Sequence, residues 1–80
     1  MAIARVEFTV EPFEAGAPGP HVVAAVEAAQ RHDAPVDVGP FGSSVTVPEA
    51  IASAVVHDIV QAALANGATR IALQIERAPA

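Results

Sequence analysis

The 80-residue chain has no cysteine, no lysine, no tryptophan and no tyrosine, and only two of its residues are leucine. Without cysteine there is no disulfide, no thiol catalysis and no iron–sulfur ligation. Without lysine no Schiff base forms and no Walker-type phosphate loop is completed. Basic charge is scarce as well: four arginines stand against nine acids, for a net charge of −5. Nucleic-acid binding draws on counterion release at a basic surface, and adhesion to anionic lipid uses the same chemistry; this chain can assemble neither surface. No apolar run approaches the ~18 residues of a membrane span, and the start shows no basic segment followed by an apolar one. The expected setting is soluble and cytoplasmic, and the length suits one domain over residues 1–80.

Hydrophobic residues make up 52% of the chain, but 19 of them are alanine, beside 12 valines, five isoleucines, three phenylalanines, two leucines and one methionine. Alanine buries little area, so a core of this kind is marginal for a domain of this size. An idealised fold and oligomerisation are the remedies still open, and both are expected.

From Ala4 to Glu11 apolar and polar residues alternate strictly. Ala4, Val6, Phe8 and Val10 share one face, and Arg5, Glu7, Thr9 and Glu11 share the other, the pattern of a half-buried strand. Pro12 ends it, and residues 12–20 form a loop with Pro20 placed for the first turn of a helix. Between His21 and Arg31 the positions Val22, Ala25, Val26 and Ala29 follow helical spacing, with Glu27, Gln30 and Arg31 outward; Asp33-Ala34-Pro35 breaks the helix. Val36-Asp37-Val38 predicts a short strand, Gly39-Pro40-Phe41-Gly42 a turn, and Ser44-Val45-Thr46-Val47 a third strand. Pro48-Glu49 opens a second helix that runs to Asn66 and stops at Gly67. Arg70 to Arg77 alternates again, with Ile71, Leu73 and Ile75 inward, and residues 78–80 form a tail.

The order β-α-β-β-α-β predicts an α+β ferredoxin-like sandwich, a four-stranded antiparallel sheet with two helices on one face. Alternating strands fit it, because parallel strands covered on both faces would read as continuous apolar runs. The other sheet face is left open and carries Arg5, Glu7, Thr9, Glu11, Asp37, Ser44, Thr46, Arg70, Ala72, Gln74 and Glu76. In the second helix Ile51, Val55, Ile59 and Ala62 share one arc, and Val56, Val60 and Leu64 widen it to roughly 220°, against the ~100° or somewhat more that a sheet face requires. The surplus packs on the first helix, on a second subunit or on a ligand. With the thin core, it leads to an expectation of at least a dimer.

No motif for catalysis emerges. His21, His32 and His57 lack the spacing of a zinc pair and read as solvated surface histidines. His57 and Asp58, ~100° apart on a helix, cannot form a dyad. Ser43 and Ser44 lack the G-x-S-x-G elbow and read as turn residues or hydrogen-bond donors to a ligand. Gly16 and Gly19 do not make a dinucleotide fingerprint. Glu7, Glu11 and Glu76 could meet on the open face for acid–base work, but Arg5 and Arg70 share that face and cross-strand ion pairs are the expected use.

Three stretches in order, Val6-Glu7-Phe8-Thr9-Val10-Glu11-Pro12, Gly39-Pro40-Phe41-Gly42-Ser43 and Gly67-Ala68-Thr69-Arg70-Ile71, resemble the small thiamine-binding protein family of ferredoxin-like domains. They are similar to that family's opening strand, its Gly-Pro-Met-Gly-Thr turn and its Gly-x-x-Arg-Val entry to the last strand. The chain departs from the pattern at Thr46, where an acid is usual, at Val60, where a histidine is common, and at Ile75-Glu76-Arg77. The resemblance implies a cytoplasmic binding module, not an enzyme, that holds thiamine or its hydroxymethylpyrimidine part. It also implies a homodimer or homotetramer with the pocket near the sheet and a subunit boundary, and no cofactor. An aminopyrimidine is flat and rich in hydrogen-bonding edges, so it suits an apolar wall with a few placed polar groups. Phe41 would supply the wall, Ser43, Ser44, Thr46 and Thr9 hydroxyls, and Glu7 or Glu11 an acceptor for the exocyclic amine. Two competing expectations are an oligomeric structural or regulatory module of the same fold without a thiamine-type ligand, and a small enzyme using the open-face carboxylates.

Overall fold

A computed structural model describes residues 2–12, 19–39 and 42–77. The first strand, β1 (Ile3–Glu11), is followed by helix α1 (Pro20–Gln30), strands β2 (Val36–Val38) and β3 (Ser43–Pro48), a single 3-10 turn (Glu49–Ile51), helix α2 (Ala52–Ala65) and strand β4 (Arg70–Arg77). The strands form one antiparallel sheet in the order β2-β3-β1-β4. Each helix therefore connects two strands that lie one strand apart, the split β-α-β connection of the ferredoxin-like sandwich.

The core forms where the strand alternation says it should. Ala4, Val6, Phe8 and Val10 of β1 and Val45 and Val47 of β3 are buried, and they join Ala25 and Ala29 of α1 and Ala52, Val55, Ile59 and Ala63 of α2 in one cluster. Ladder pairs put matched side chains together on this face, with Val6 between Val45 and Ile75, and Phe8 beside Leu73. The two helices approach each other closely and share one cluster with the sheet. That contact takes up part of the wide apolar arc of α2: Val56 packs against the core and Val60 is half-buried, whereas Leu64 remains 56% exposed. Among the described residues no helix is long and apolar enough to cross a membrane.

Both ends of α2 have a local cause. Pro48 keeps extended geometry (φ −56°, ψ 138°), so β3 runs one residue past Val47, and the helix proper begins only after a 3-10 turn. The sequence-based start at Pro48-Glu49 is thus three to four residues early. Proline suits the last position of a strand because no ladder hydrogen bond is asked of it. The Glu49 N–H donates to the Ala2 carbonyl (2.9 Å), fixing this turn to the start of β1. At the far end Gly67 takes φ +99°, Ala68 N–H donates to Ala63 O (3.0 Å) and Gly67 N–H to Leu64 O (3.4 Å). This is the Schellman pattern, in which a left-handed residue satisfies the last carbonyls. Helix α1 ends beside Asp33, a second left-handed residue (φ 59°) of a type that tolerates that region.

Two histidines depart from the surface reading. His21 is 3% exposed, and its Nε2–H donates to the carbonyl of Pro12 at 2.6 Å. The first turn of α1 sits beside the chain leaving β1, and the buried imidazole finds its acceptor there. His32, past the end of α1, is half-buried with Nε2 2.7 Å from Asp58 Oδ2 of α2. Asp58 thus turns away from its neighbour His57, as the helical angle requires, and ties the two helices together. His57 is exposed.

Strand β4 also departs from expectation. Ile71, Leu73 and Ile75 do lie on the helix side, opposite Val10, Phe8 and Val6. They are not well covered: Ile71 and Leu73 are half-buried and Ile75 is 54% exposed. The coverage ends part-way along the strand: Ile71 and Leu73 pack against the edge of the buried cluster, and Ile75 does not. The strand's last residue is instead held by a bidentate ion pair from Arg77 to Glu49 (2.7 and 2.9 Å).

Two outcomes follow. Ile59 is fully buried at the centre of the cluster, so Ile59→Ala should cost about 2–5 kcal/mol, read from the urea unfolding midpoint at constant m-value. The hydrogen bonds from Arg77 hold the Glu49 carboxyl below its ordinary pKa. A carboxylate lowered on folding adds stability above its unfolded pKa and loses it as pH falls through the folded one. The urea midpoints of wild type and Glu49→Gln should therefore differ near neutral pH and converge on acidification below the ordinary carboxylate range; a gap unchanged by pH would contradict this ion-pair role.

Candidate functional site

On the side away from the helices, register sets polar residues in transverse rows. Asp37 of β2 pairs with Ser44 of β3, Ser44 with Glu7 of β1, and Glu7 with Gln74 of β4. One line of four polar side chains thus crosses the whole sheet. Strands stand ~4.8 Å apart, so the carboxylates of Glu7 and Asp37, separated by β3, are held roughly 10 Å apart at the Cα level. The next row toward the carboxyl end of β1 contains Thr9 opposite Ala72, and the row on the other side Thr46, Arg5 and Glu76.

A depression of about 370 Å³ lies over these rows, with Arg5, Glu7, Thr9, Asp37, Ser44 and Gln74 among its walls. That volume falls at the lower end of small-molecule sites. By register Phe8, Ser43 and Leu73 belong to the helix side, so their share of the lining is main chain. One end of the depression is bordered by Gly39 and Gly42. There Gly39 N–H donates to Gly42 O at 2.7 Å, and a Cβ on Gly42 would come within 3.0 Å of the Thr9 methyl and 3.3 Å of the Phe8 carbonyl oxygen. A side chain at Gly42 would push directly against this wall.

The charges in the depression are unequal. Arg5 donates to Glu7 and lies 3.6 Å from Glu76, so Glu7 works as half of an ion pair. Asp37, exposed on β2, has no ion-pair partner among the described residues. Within the site it is the carboxylate whose charge is not offset by a guanidinium. The arrangement offers acceptors at Asp37 and Glu7, an amide at Gln74 and hydroxyls at Ser44 and Thr9. Such a set can hold a flat polar molecule carrying amine donors or a positive charge. Among the described residues no three histidine or acidic side chains converge as metal ligands would.

No family model matches the chain, and no curated protein does. Solved structures do. A domain of unknown function, DUF77, from Bacillus cereus superposes with a TM-score of 0.68 at 20% identity, over 98% of this chain and 76% of that one. A candidate thiamine biosynthesis or salvage protein from Thermotoga maritima gives 0.68 at 21% identity, over 94% and 81%. A hypothetical protein from Methanocaldococcus jannascii gives 0.57 at 15% identity, over 99% and 79%. The chain shares their fold.

Of the residues expected to bind, Glu7, Thr9, Ser43 and Ser44 border the depression. Ser43 does so with its hydroxyl on the helix side, because β3 alternates and Val45 and Val47 are its buried neighbours. Glu11 and Thr46 do not line it. Glu11 is at the far end of β1 with its Oε2 3.3 Å from Arg70 Nε, and Thr46 stands opposite Arg5 beyond the rim. Phe41 lies outside the described residues. Asp37, Gln74 and Arg5 were legible as open-face residues and not as site residues; alternation names the face, but cross-strand register selects the row. Gly42→Ala should displace the Thr9 side chain and the adjoining hairpin while the fold persists, seen as amide shift changes confined to residues 7–9 and 37–46 in a heteronuclear spectrum.

Proposed function

We propose that this protein is a non-catalytic cytoplasmic small-molecule-binding module whose ligand is thiamine or its hydroxymethylpyrimidine part, held in the open-face depression. The observation that carries the reading is the transverse row Asp37–Ser44–Glu7–Gln74 within that depression. An aminopyrimidine presents an exocyclic amine that donates and ring nitrogens that accept, and this row offers a carboxylate at either side of a hydroxyl, then an amide. Asp37 is the acceptor for the amine or for the thiazolium charge. The net charge of −5 favours approach of a cation. The motif resemblance described above and the shared fold with a candidate thiamine biosynthesis or salvage protein support the same ligand class. The spacing of Glu7 and Asp37, with Arg5 on Glu7, suits holding a ligand better than moving protons between two carboxylates.

Isothermal titration with thiamine and with hydroxymethylpyrimidine tests the reading. Saturable heat is expected from at least one of them. Loss of a charge-assisted hydrogen bond, worth about 1.5–3 kcal/mol, should weaken binding about ten-fold or more in Asp37→Asn. Phe41→Ala, which removes the aromatic wall that the resemblance implies, should weaken both ligands together. Absence of heat at millimolar ligand would remove the proposal.

A further inference from the structure

With no lysine in the chain, its four arginines are the whole supply of permanently charged basic side chains. Three of them are placed away from the depression. Arg70 lies 3.3 Å from Glu11 at one end of β4, Arg77 clasps Glu49 at the other, and Arg31 stands at the end of α1. Arg5 is the one guanidinium in the lining. Register sets carboxylates on two sides of it: Glu76 stands directly opposite on β4, and Glu7 follows two residues on along the same face of β1. Arg5 donates to Glu7 and lies 3.6 Å from Glu76, which is not itself part of the lining. A single exposed ion pair holds an arginine loosely, and a network of charges holds it better. At the glycine end of the depression the Gly39 N–H is already taken by the Gly42 carbonyl at 2.7 Å.

Such a distribution bears on one class of ligand in particular. A phosphate ester brings close to two negative charges and three strong acceptor oxygens, and the planar fork of an arginine is the side chain that matches it. Here the fork already has two carboxylate partners, and Asp37 adds a third negative charge to the same depression. A ligand whose amine engages Glu7 draws that carboxylate away from Arg5. Glu76 then remains to hold the guanidinium, from a position the ligand does not reach. We propose that Glu76 is a positioning residue that sets the charge selectivity of the depression: by retaining Arg5, it makes the site take the free alcohol of its ligand and reject the phosphate ester. Selectivity of this kind comes from charge left unpaired against the wrong ligand, not from added contacts with the right one. The choice of alcohol rests on the aminopyrimidine reading above, whereas the withholding of Arg5 from a phosphoryl group does not.

Two titrations test it. In calorimetry with hydroxymethylpyrimidine and its phosphate ester, the wild type should bind the ester about ten-fold or more weakly than the alcohol. Glu76→Gln should narrow that ratio about ten-fold, and adding Arg5→Gln to Glu76→Gln should restore it, because the gain passes through the guanidinium. An ester that binds the wild type as well as the alcohol, or a ratio that Glu76→Gln leaves unchanged, would overturn the proposal while leaving the ligand class standing. The second titration uses inorganic phosphate alone, followed by the amide signals of Arg5, Glu7, Asp37, Ser44 and Gln74 in a heteronuclear spectrum. Those signals should stay still in the wild type up to about 10 mM phosphate and move saturably in Glu7→Gln/Glu76→Gln. If neither organic ligand gives heat, the aminopyrimidine reading fails and the phosphate titration alone decides the role of Glu76. Saturable movement in the wild type, or none in the double variant, overturns it.

Discussion

Everything in this domain depends on the two-sided use of β1. It is a central strand, bonded to β3 on one side and β4 on the other, and its residues divide cleanly between two environments. Ala4, Val6, Phe8 and Val10 anchor the buried cluster, while Arg5, Glu7 and Thr9 line the depression. A slip of one residue against either neighbour would carry the valines to solvent and the charges into the core. The cost of that exchange holds the register, and the register in turn sets Asp37, Ser44, Glu7 and Gln74 in line. The polar site is thus a by-product of the hydrophobic core on the other side of the same strand.

Much of this could be read from the chain. Period-two patterning marks β1 and β4, the Pro20 and Gly67 signals mark helix ends, and the order of elements leads to the ferredoxin-like sandwich. What could not be read depends on contacts made across the fold. His21 looks like a polar helix start until the Pro12 carbonyl is placed above it. Asp58 meets His32, 26 residues away, and not the histidine next to it in sequence. Likewise Glu11 and Glu7 look equivalent along β1, but Arg70 engages the first at one end of the strand, whereas the second faces Ser44 and Gln74. Ile75 has the pattern of a core residue and the exposure of a surface one, because alternation reports the face of a strand and not whether a helix reaches over it.

The uneven coverage of the sheet follows from how the helices use their apolar surface. α1 and α2 share one buried cluster with β1 and β3, and the border strand β4 is held at one end by Arg77 on Glu49 and at the other by Thr69, whose N–H donates to Glu11 O at 2.8 Å. Polar ties at both ends secure a strand that packing secures only in part.

The buried alanines of the two helices have a further consequence. Ala25, Ala28 and Ala29 of α1 and Ala52 and Ala63 of α2 are buried, and alanine gives up no rotamer freedom on burial while favouring the helix intrinsically. The layer therefore gains stability less by removing apolar area from water than by having little disorder to lose. Apolar area newly exposed on unfolding is what raises the heat capacity. With little of it stored in its helix layer, this chain should have a stability curve flatter against temperature than that of a leucine-packed domain of equal length.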